Sequence, residues 1–563
     1  MCDFFRISAG DQGKLDSLSE RLRRLVVGAM NYNALIQPGR TLVFKLYMGQ
    51  KWQYPRLTDL TTLNGLLTRE AGLEPFAELS MTSTVEPGSA YPPQYFDQDQ
   101  QVVDTGVRYL LLTPDDATDK DVESKHPNDG PKAKLYNALE LSFPTQFDVF
   151  RDTKRSIREY LGRKPVKPWI PRTVERENAW SGHHHPVVEI KPGKAPAGAK
   201  KAVIIAMHWF QAGGAERWAL ETVKLVKQAG FYPIVITDRD GHQPWITRPE
   251  FDDALLLPLT APLQERPGDA PLLRALFEHF DIKGILIHHC QWMYDRAWWV
   301  KKYFPRTKIV DSLHIVEYFF RGGYPHESAI RDQWIDLHHV ISPQLRHWLV
   351  DIHHLDAKKV VVAPLVGLTA DSEKAKFKPR DTGKPLTVAF VGRMVRQKRP
   401  EAFILTAHAL QRAYPGKFRF IMQGNGDMDI FADTLIKRYN LGKVLERRSM
   451  KVPVAKTYED ADVLLVSSIN EGITLTTIEA LSAGIPVISA DVGSQSTLVP
   501  KQGLLRRMTS KMVHDAKSAL AHLANSEDDR KRLWAAEEKR LEEFSQLESA
   551  DALFARMLKG WNK

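Results

Sequence analysis

The chain has 563 residues, a length that predicts roughly three or four domains. Its content of 43% hydrophobic and 26% charged residues is that of a folded globular protein, and no apolar run is long enough to predict a membrane-spanning helix. The net charge of +10 has two readings: an anionic partner (a phosphate-bearing substrate, an anionic membrane or a nucleic acid) or simply a solvated basic surface.

The N-terminus and the cysteines indicate the compartment. The first residues, Met1 to Arg6, lack the apolar core of a secretory signal. Cys2 and Cys290 are the two cysteines of the chain, too few for a disulfide framework in a protein of this length. We therefore expect a cytoplasmic protein, either free or peripheral on the inner face of the plasma membrane.

Residues 1–165 have an irregular pattern that predicts an accessory α+β domain of unknown role. A helix is expected around Leu15–Val27 and a strand at Val107–Leu112. Residues 166–200 are rich in proline and are predicted to be a linker. The run His183–His185 lies within it, and exposed loop histidines are a better interpretation than a structural metal site.

From Lys201 onward, short apolar runs alternate with helical stretches. The predicted strands of residues 201–375 include Val203–Ala206, Pro233–Thr237, Ile282–His288, Lys308–His314, Val340–Ser342 and Val360–Ala363. The pattern restarts in residues 376–545 with Leu386–Val391, Phe418–Gln423, Val463–Val466 and Val487–Ser489. Such alternation predicts parallel sheets with helices on both faces. The expected class is α/β, with two facing Rossmann-like doubly wound domains, a ligand cleft between them and a C-terminal helix, 546–563, that crosses back to the first.

Two loops at the carboxyl ends of predicted strands are candidate phosphate sites. Gly213 and Gly214 open a helix whose free N–H groups can bind an anion, although a plain strand-to-helix turn would look the same. In the second domain, Arg393 and Lys398 follow Gly392 five residues apart. They could bracket a diphosphate and stabilise it as a leaving group, or form a solvated basic loop.

Glu471 and Glu479 form the most informative pair. Glu471 lies in a predicted strand-to-helix loop and Glu479 in the following helix, which separates the carboxylates by roughly 10 Å or more. That distance is too long for a joint acid/base pair and suits two contacts with opposite ends of one ligand. The intervening backbone, Gly472-Ile473-Thr474-Leu475, lies at a helix N-terminus and can donate hydrogen bonds to phosphate.

These motifs together resemble a known family. Gly-Gly-Ala-Glu, Gly-Arg-x(4)-Lys, the Gly-x-Gly of Gly424 and Gly426, and Glu-Gly-x(6)-Glu-Ala-Leu-x-Ala-Gly-x-Pro-Val occur in this order over residues 200–560. The pattern resembles retaining glycosyltransferases of the GT-B fold, family 4. Residues 1–195 match no recognised pattern.

The resemblance implies a role for each matching residue. Glu479 would hold the ribose of the nucleotide, and Glu471 the hydroxyls of the donor sugar. Arg393 and Lys398 would neutralise the diphosphate. The remaining donor contacts would come from Gly213, Gly214, Gly424, Gly426, Gly472, Ile473, Thr474 and Leu475. His314, at the end of a strand, would line the sugar, although a lone histidine is as often structural.

Two positions depart from the family pattern. Thr474 stands where glycine or proline is common, and Gln495 stands where an acidic residue is common. Both departures concern contacts with the donor sugar and raise the question of which sugar is held.

The implied reaction transfers a sugar from a nucleotide diphosphate, with a UDP- or GDP-sugar expected, to the hydroxyl of a glycan or lipid-linked acceptor. The expected enzyme class is hexosyltransferase-like (EC 2.4), in glycan, polysaccharide or glycolipid synthesis, with no cofactor or metal required and no nucleic acid as partner. A sugar-nucleotide epimerase and a non-catalytic nucleotide-sugar-binding protein are the alternatives. The segment Arg296–Lys308 mixes aromatic and basic residues; it could face a membrane or a lipid-linked acceptor, or pack its aromatics in the core.

Overall fold

The computed structural model describes residues 4–58, 62–63, 66–67, 74–86, 106–125, 130–170, 192–258, 269–317, 321–365 and 375–562. Within them, a mixed five-stranded sheet is followed by parallel sheets of seven and six strands. The two parallel sheets confirm the predicted class of two Rossmann-like doubly wound domains with an N-terminal α+β region. Cys2 and the His183–His185 run lie outside the described residues.

The N-terminal region combines the mixed sheet with helices. Its elements are β1 (Phe5–Ile7), α1 (Ala9–Asp16), α2 (Glu20–Ile36), β2 (Thr41–Met48), β3 (Arg56–Thr58), β4 (Thr62–Leu63), β5 (Leu66–Leu67), β6 (Ala77–Ser83), β7 (Val107–Leu112), α3 (Asp119–Lys125), α4 (Pro131–Ser142) and α5 (Pro144–Gly162). The strand order is β1-β6-β2-β7-β3, with β2 antiparallel to β6 and parallel to β7. Helix α2 begins after Ser19, whose side chain accepts a hydrogen bond from the N–H of Leu22.

The first Rossmann-like domain follows residue 200. Its elements are β8 (Lys201–Met207), α6 (Gly214–Gln228), β9 (Tyr232–Thr237), β10 (Leu255–Pro258), α7 (Asp269–His279), β11 (Asp281–His288), α8 (Gln291–Tyr294), α9 (Ala297–Tyr303), β12 (Lys308–Leu313), α10 (Tyr324–Ile330), β13 (Leu337–Val340), α11 (Pro343–His347) and β14 (Val360–Val362). The strand order is β10-β9-β8-β11-β12-β13-β14. Alternate residues of β8 enter two different cores, Ile204 in one and Ile205 in the other, so both faces of the sheet are buried.

The second Rossmann-like domain repeats this architecture. Its elements are β15 (Leu386–Val391), α12 (Pro400–Ala413), β16 (Phe418–Gln423), α13 (Asp429–Arg438), β17 (Leu445–Arg448), α14 (Val454–Asp460), β18 (Val463–Val466), α15 (Leu475–Ser482), β19 (Val487–Ala490), α16 (Gln495–Leu498), β20 (Leu504–Leu505), α17 (Thr509–Asn525) and α18 (Glu527–Ser545). The strand order is β17-β16-β15-β18-β19-β20. Val388 and Ala389 of β15 again lie in separate cores on opposite faces.

The N-terminal region packs on both Rossmann-like domains. Helix α2 lies so close to β10 that a Cβ on Gly28 would be 2.7 Å from Pro258 Cδ. The α4–α5 hairpin instead lies on the second domain, where Asp152 accepts hydrogen bonds from the backbone N–H (2.8 Å) and the hydroxyl (3.0 Å) of Thr509. Helix α2 and strands β2, β6 and β7 therefore share a core with the first domain, while the hairpin lies on the second.

The chain returns to the first domain at its end. Helix α19 (Ala550–Trp561) packs on α6, with the rings of Trp218 and Phe554 in edge contact at 5.1 Å. The ring of Trp561 occupies the space beside Gly284, where a Cβ would come within 2.2 Å of it. The boundaries predicted from the sequence between accessory region, linker and domains stay predictions.

The aromatic segment Arg296–Lys308 is part of the first domain's core. Trp298 and Trp299 of α9 are buried, and Lys301 donates hydrogen bonds to the Thr307 carbonyl and to Asp336. The structure thus favours the core interpretation of this segment over a surface that faces a membrane. Among the described residues, no helix has the length and apolar character needed to cross a bilayer.

Candidate active site

The two Rossmann-like domains meet at the carboxyl ends of their parallel strands. A Cβ on Gly472, after β18, would lie 2.2 Å from the carbonyl oxygen of His314, which follows β12. Asn470 donates a side-chain hydrogen bond to the Val316 carbonyl at 2.6 Å. The glycine is required here because any side chain would hold the two domains apart. The edges where parallel sheets bind ligands therefore face each other across one cleft.

On the first-domain side, Gly213 and Gly214 open helix α6. A Cβ on Gly213 would lie 2.0 Å from a carboxylate oxygen of Glu216, whereas a Cβ on Gly214 would meet no atom within 4 Å. Gly213 thus makes room for the folded-back carboxylate, and Gly214 borders open space. Burial raises the pKa of Glu216, and hydrogen bonds from its own N–H and the Trp209 side chain partly offset that shift.

On the second-domain side, the loop after β15 brings two cations to the cleft. Arg393 is exposed, and its charge is close enough to lower the pKa of Glu216. Lys398 forms an ion pair with Glu471, with Nζ 2.5 Å from Oε1, and the Glu471 side chain is only 7% exposed. The structure therefore brings Arg393 to the N-terminus of α6, and it joins Lys398 directly to the carboxylate predicted to contact the sugar.

Gly424 and Gly426, after β16, pack against the loop that carries Arg393 and Lys398. A Cβ on Gly424 would lie 1.9 Å from the Gly392 carbonyl oxygen, and one on Gly426 would lie 2.3 Å from that of Met394. Gly424 also has φ of +141°, which favours glycine. Both residues therefore have a clear packing role, since they let the loop after β16 lie directly against the backbone that carries Arg393.

The segment from Gly472 to Leu475 leads into α15, as predicted. Thr474 is the N-cap residue, and Glu479 is the fifth residue of the helix, one turn in. Tyr458, at the end of α14, donates a hydrogen bond from its hydroxyl to Glu479 Oε2 at 2.9 Å. This bond fixes the carboxylate, and the sequence pattern did not indicate it. The Ile473 side chain packs toward Phe544, so its backbone is the part available to a ligand.

The two departures from the family pattern contact each other. Gln495 Nε2 donates to Thr474 Oγ1 at 2.8 Å, the Thr474 and Thr477 hydroxyls are 2.5 Å apart, and Thr477 Oγ1 donates to Gln495 Oε1 at 3.2 Å. Each group in this closed ring donates once and accepts once, which fits an amide. A carboxylate at 495 would leave the ring one proton short. Thr474 and Gln495 therefore belong to one hydrogen-bonded unit.

His314 lies in a group of uncharged histidines at the end of the first sheet. Its Nε2 is 3.1 Å from the Ser312 hydroxyl, and its ring meets that of His289 edge-on at 5.1 Å. Burial lowers the pKa of His314 well below its ordinary value, and burial lowers the pKa of His289 to about 4. At neutral pH His314 can therefore donate or accept a hydrogen bond but supplies no charge.

Two further residues hold the site together and were not predicted. Gly493, with φ of +56°, packs so closely that a Cβ would lie 1.7 Å from the Glu471 carbonyl oxygen. Arg399 is buried, with φ of +56°, and donates hydrogen bonds to the carbonyls of Ser467 and Ser468. The only sequence signal was the turn residues around Gly493, because Arg399 reads as one more charge in a basic loop.

We found no group of three or more His, Cys, Asp or Glu residues in the described parts of the chain that could hold a metal ion. The cleft residues present cations, a helix N-terminus and hydroxyl or carboxylate groups. This set can bind an anionic ligand that also carries hydroxyls.

Comparison with known proteins matches the second Rossmann-like domain to a family. Residues 371–540 fit the family model described as glycosyl transferases group 1. These residues are a group 1 glycosyltransferase domain. The matched range includes the loop of Arg393 and Lys398 and the segment from Glu471 to Glu479, so every second-domain residue of the candidate site belongs to it.

Curated relatives agree with this assignment. The chain is 30% identical over 170 residues to a D-inositol 3-phosphate glycosyltransferase of Nocardia farcinica, which covers 27% of this chain and 36% of the relative. It is 26% identical over 277 residues to the enzyme of that name from Corynebacterium glutamicum, covering 44% and 66%. The chain thus spans less than two thirds of the length of these relatives.

A solved structure is also similar. Alr3699/HepE of Anabaena, in complex with UDP, aligns with a TM-score of 0.48 and 15% identity, covering 64% of this chain and 98% of that one. The roles of individual site residues in the glycosyltransferase domain and its cleft stay predictions.

Proposed function

We propose that the protein is a retaining glycosyltransferase of family 4 that transfers a sugar from a nucleotide diphosphate to an acceptor hydroxyl. The observation that supports this best is the arrangement at one cleft of a group 1 glycosyltransferase domain. Arg393 lies near enough to Glu216, in the first turn of α6, to lower its pKa, and Lys398 is paired with Glu471 just before the N-terminus of α15. These groups match the charges and hydroxyls of a sugar diphosphate.

The Lys398–Glu471 pair suggests how the donor binds. Without a ligand, each side chain satisfies the other. A diphosphate would compete for the Lys398 ammonium, because phosphate carries more charge than a carboxylate, and Glu471 would then be released to accept hydrogen bonds from sugar hydroxyls. Arg393 would add a second cation from the same loop. The carboxylate of Glu479, fixed by Tyr458, would hold the ribose.

The chemistry requires positioning and charge stabilisation rather than a protein nucleophile. As the bond between the anomeric carbon and the diphosphate breaks, negative charge builds on the leaving oxygen, next to Arg393 and Lys398. The acceptor hydroxyl attacks from the same face, and its proton passes to the departing diphosphate. Anomeric configuration is thereby retained. Neutralisation by these two side chains would make the reaction independent of a metal ion.

The expected donor is a UDP- or GDP-sugar, and the expected acceptor is a glycan or a lipid-linked sugar, in polysaccharide or glycolipid synthesis. A thermal-shift screen with UDP-, GDP-, ADP- and dTDP-sugars tests the donor site, because a ligand that binds only the native state raises its stability. At least one of these nucleotide sugars should raise the melting temperature, and a flat response to all four classes would refute the proposed site.

Substitution of the two cations tests the mechanism. The substrate is the nucleotide sugar that raises the melting temperature, and its turnover is measured as transfer to an acceptor or as slow hydrolysis. Arg393→Ala and Lys398→Ala should each lower this turnover at least about a hundredfold. Lys443→Ala, an exposed lysine of the same domain, is the matched control and should retain normal turnover. If the wild-type protein converts the donor to an epimer, the protein is an epimerase rather than a transferase. If it binds the donor without any turnover, it is a nucleotide-sugar-binding protein.

A further inference from the structure

The α4–α5 hairpin carries an exposed apolar stripe on the side that faces away from the glycosyltransferase domain. Phe143, Phe150, Ile157 and Leu161 are spaced seven, seven and four residues apart, which places them on one face of α5 and its N-cap. Their exposed fractions are 51%, 68%, 57% and 52%. The stripe runs for roughly 27 Å at 1.5 Å per residue.

This concentration of exposed apolar side chains is local. In the described chain, nine of the fifteen large apolar residues that are exposed lie between Leu135 and Ile170, and the glycosyltransferase domain exposes only scattered ones such as Ile430. Leu135 and Leu139 of the neighbouring helix α4 are exposed as well. Single exposed apolar residues need no explanation, whereas a continuous stripe indicates an interaction surface.

The contacts of the opposite face of the hairpin explain why the apolar stripe points away from the glycosyltransferase domain. All four carboxylates of residues 130–170, which are Glu140, Asp148, Asp152 and Glu159, are buried or half-buried on the side of the glycosyltransferase domain. Glu140 pairs with Arg396 and Glu159 with Arg507 of that domain. A helix docked through its acidic side in this way keeps its apolar stripe on the opposite side, so the stripe stays exposed.

Because the carboxylates are all on the inner side, the exposed charges of the hairpin are basic. Lys132, Lys154, Arg158 and Arg163 are exposed on the two helices, and Lys164 and Lys167 follow. An apolar stripe flanked by lysine and arginine is the pattern of a helix that lies in the plane of an anionic membrane surface. A protein partner would need only the apolar stripe. Lipid phosphates would also pair with the lysine and arginine side chains that flank it.

We propose that the outer face of the α4–α5 hairpin docks on an anionic lipid surface. Phe150, Ile157 and Leu161 enter the boundary between head groups and acyl chains, and Lys154 and Lys164 contact lipid phosphates. Through Arg396 and Glu140, the hairpin is joined to the loop that carries Arg393 and Lys398, so docking also places the cleft near the lipid surface. This inference does not depend on the proposed reaction.

Vesicle sedimentation of the full chain tests it. The protein should sediment with vesicles of equal phosphatidylglycerol and phosphatidylcholine at low salt, and be released at high salt or with phosphatidylcholine alone. Lys154→Glu should weaken partitioning at least about fivefold, the scale for one basic residue at such a surface. Phe150→Glu combined with Ile157→Glu should weaken it further. Ile430→Glu, at a residue 83% exposed on the glycosyltransferase domain, is the matched control and should bind normally.

Three results would overturn the proposal. The first is a wild-type protein that stays in the supernatant with anionic vesicles at low salt. The second is equal loss of binding in Ile430→Glu. The third is self-association that the Phe150→Glu and Ile157→Glu pair abolishes without any vesicle binding, which would make the stripe an interface between copies of the chain. The donor thermal shift is measured without vesicles, so failure here leaves the donor site unaffected.

Discussion

His338 offers a direct test of how the first domain holds a buried charge. Its Nδ1 lies 3.0 Å from Asp311 Oδ1 and its Nε2 lies 2.9 Å from Asp332 Oδ1, so both ring nitrogens can donate to carboxylates. Burial alone would lower the pKa of His338, but the two carboxylates outweigh burial and raise the pKa to about 9. The imidazolium form therefore stabilises the folded state.

The magnitude follows from linkage between protonation and folding. Because the pKa is about 9 when folded and about 6.5 when unfolded, the contribution is about 3 kcal/mol. With a raised folded pKa, this stability is fully present below the unfolded value and is lost as pH rises from about 6.5 through about 9. The loss occurs on the alkaline side, opposite to that of a carboxylate with a lowered pKa.

His338→Gln removes the charge and keeps a hydrogen-bonding side chain. The difference in unfolding free energy between wild type and this variant, measured by urea titration with tryptophan fluorescence, should shrink by about 3 kcal/mol between pH 6 and pH 9.5. His339→Gln is the control, because burial lowers the pKa of His339 to about 4 and that ring is neutral throughout this range. Parallel pH profiles for the two variants would refute the reasoning.

Two further predictions concern the cleft. Gln495→Glu removes the donor to Thr474 and should lower stability by about 1–3 kcal/mol, seen in thermal unfolding, and alter donor preference; an unchanged melting curve would contradict the ring. Gly472→Ala places a methyl group against the His314 carbonyl. It should weaken the free energy of donor binding, measured by titration calorimetry, by about 1–3 kcal/mol. Gly442→Ala, which meets nothing within 4 Å, should bind normally, and equal behaviour of both would argue against the close domain contact.

The sequence determined the elements whose signal is local. Strands such as Leu386–Val391 and Val463–Val466 are apolar runs bounded by turns, and the structure places strands at those residues because burial on both faces requires such runs. Strand β13 was predicted at Val340–Ser342 but spans Leu337–Val340. The signal was masked because His338 and His339 occupy its centre, and a buried histidine is recognisable only with its distant partners in place.

In the candidate site, too, some features could be predicted from the sequence and others depended on the fold. The order and spacing of Gly214, Arg393, Lys398, Glu471 and Glu479 were sufficient to predict a donor site, because glycines, cations and carboxylates at strand ends have few uses. The prediction that they share one cleft followed from the two-domain fold alone.

The contacts between these residues depended on the tertiary structure. The pairing of Lys398 with Glu471 and the ring that joins Thr474 to Gln495 connect residues that are far apart in the chain. The same holds for the hairpin, whose carboxylates find arginines more than two hundred residues away and so leave an apolar, basic face outside. Apolar periodicity is local and can be recognised along a sequence. The role of a buried polar side chain depends on its hydrogen-bond and ion-pair partners, which come together only when the chain folds.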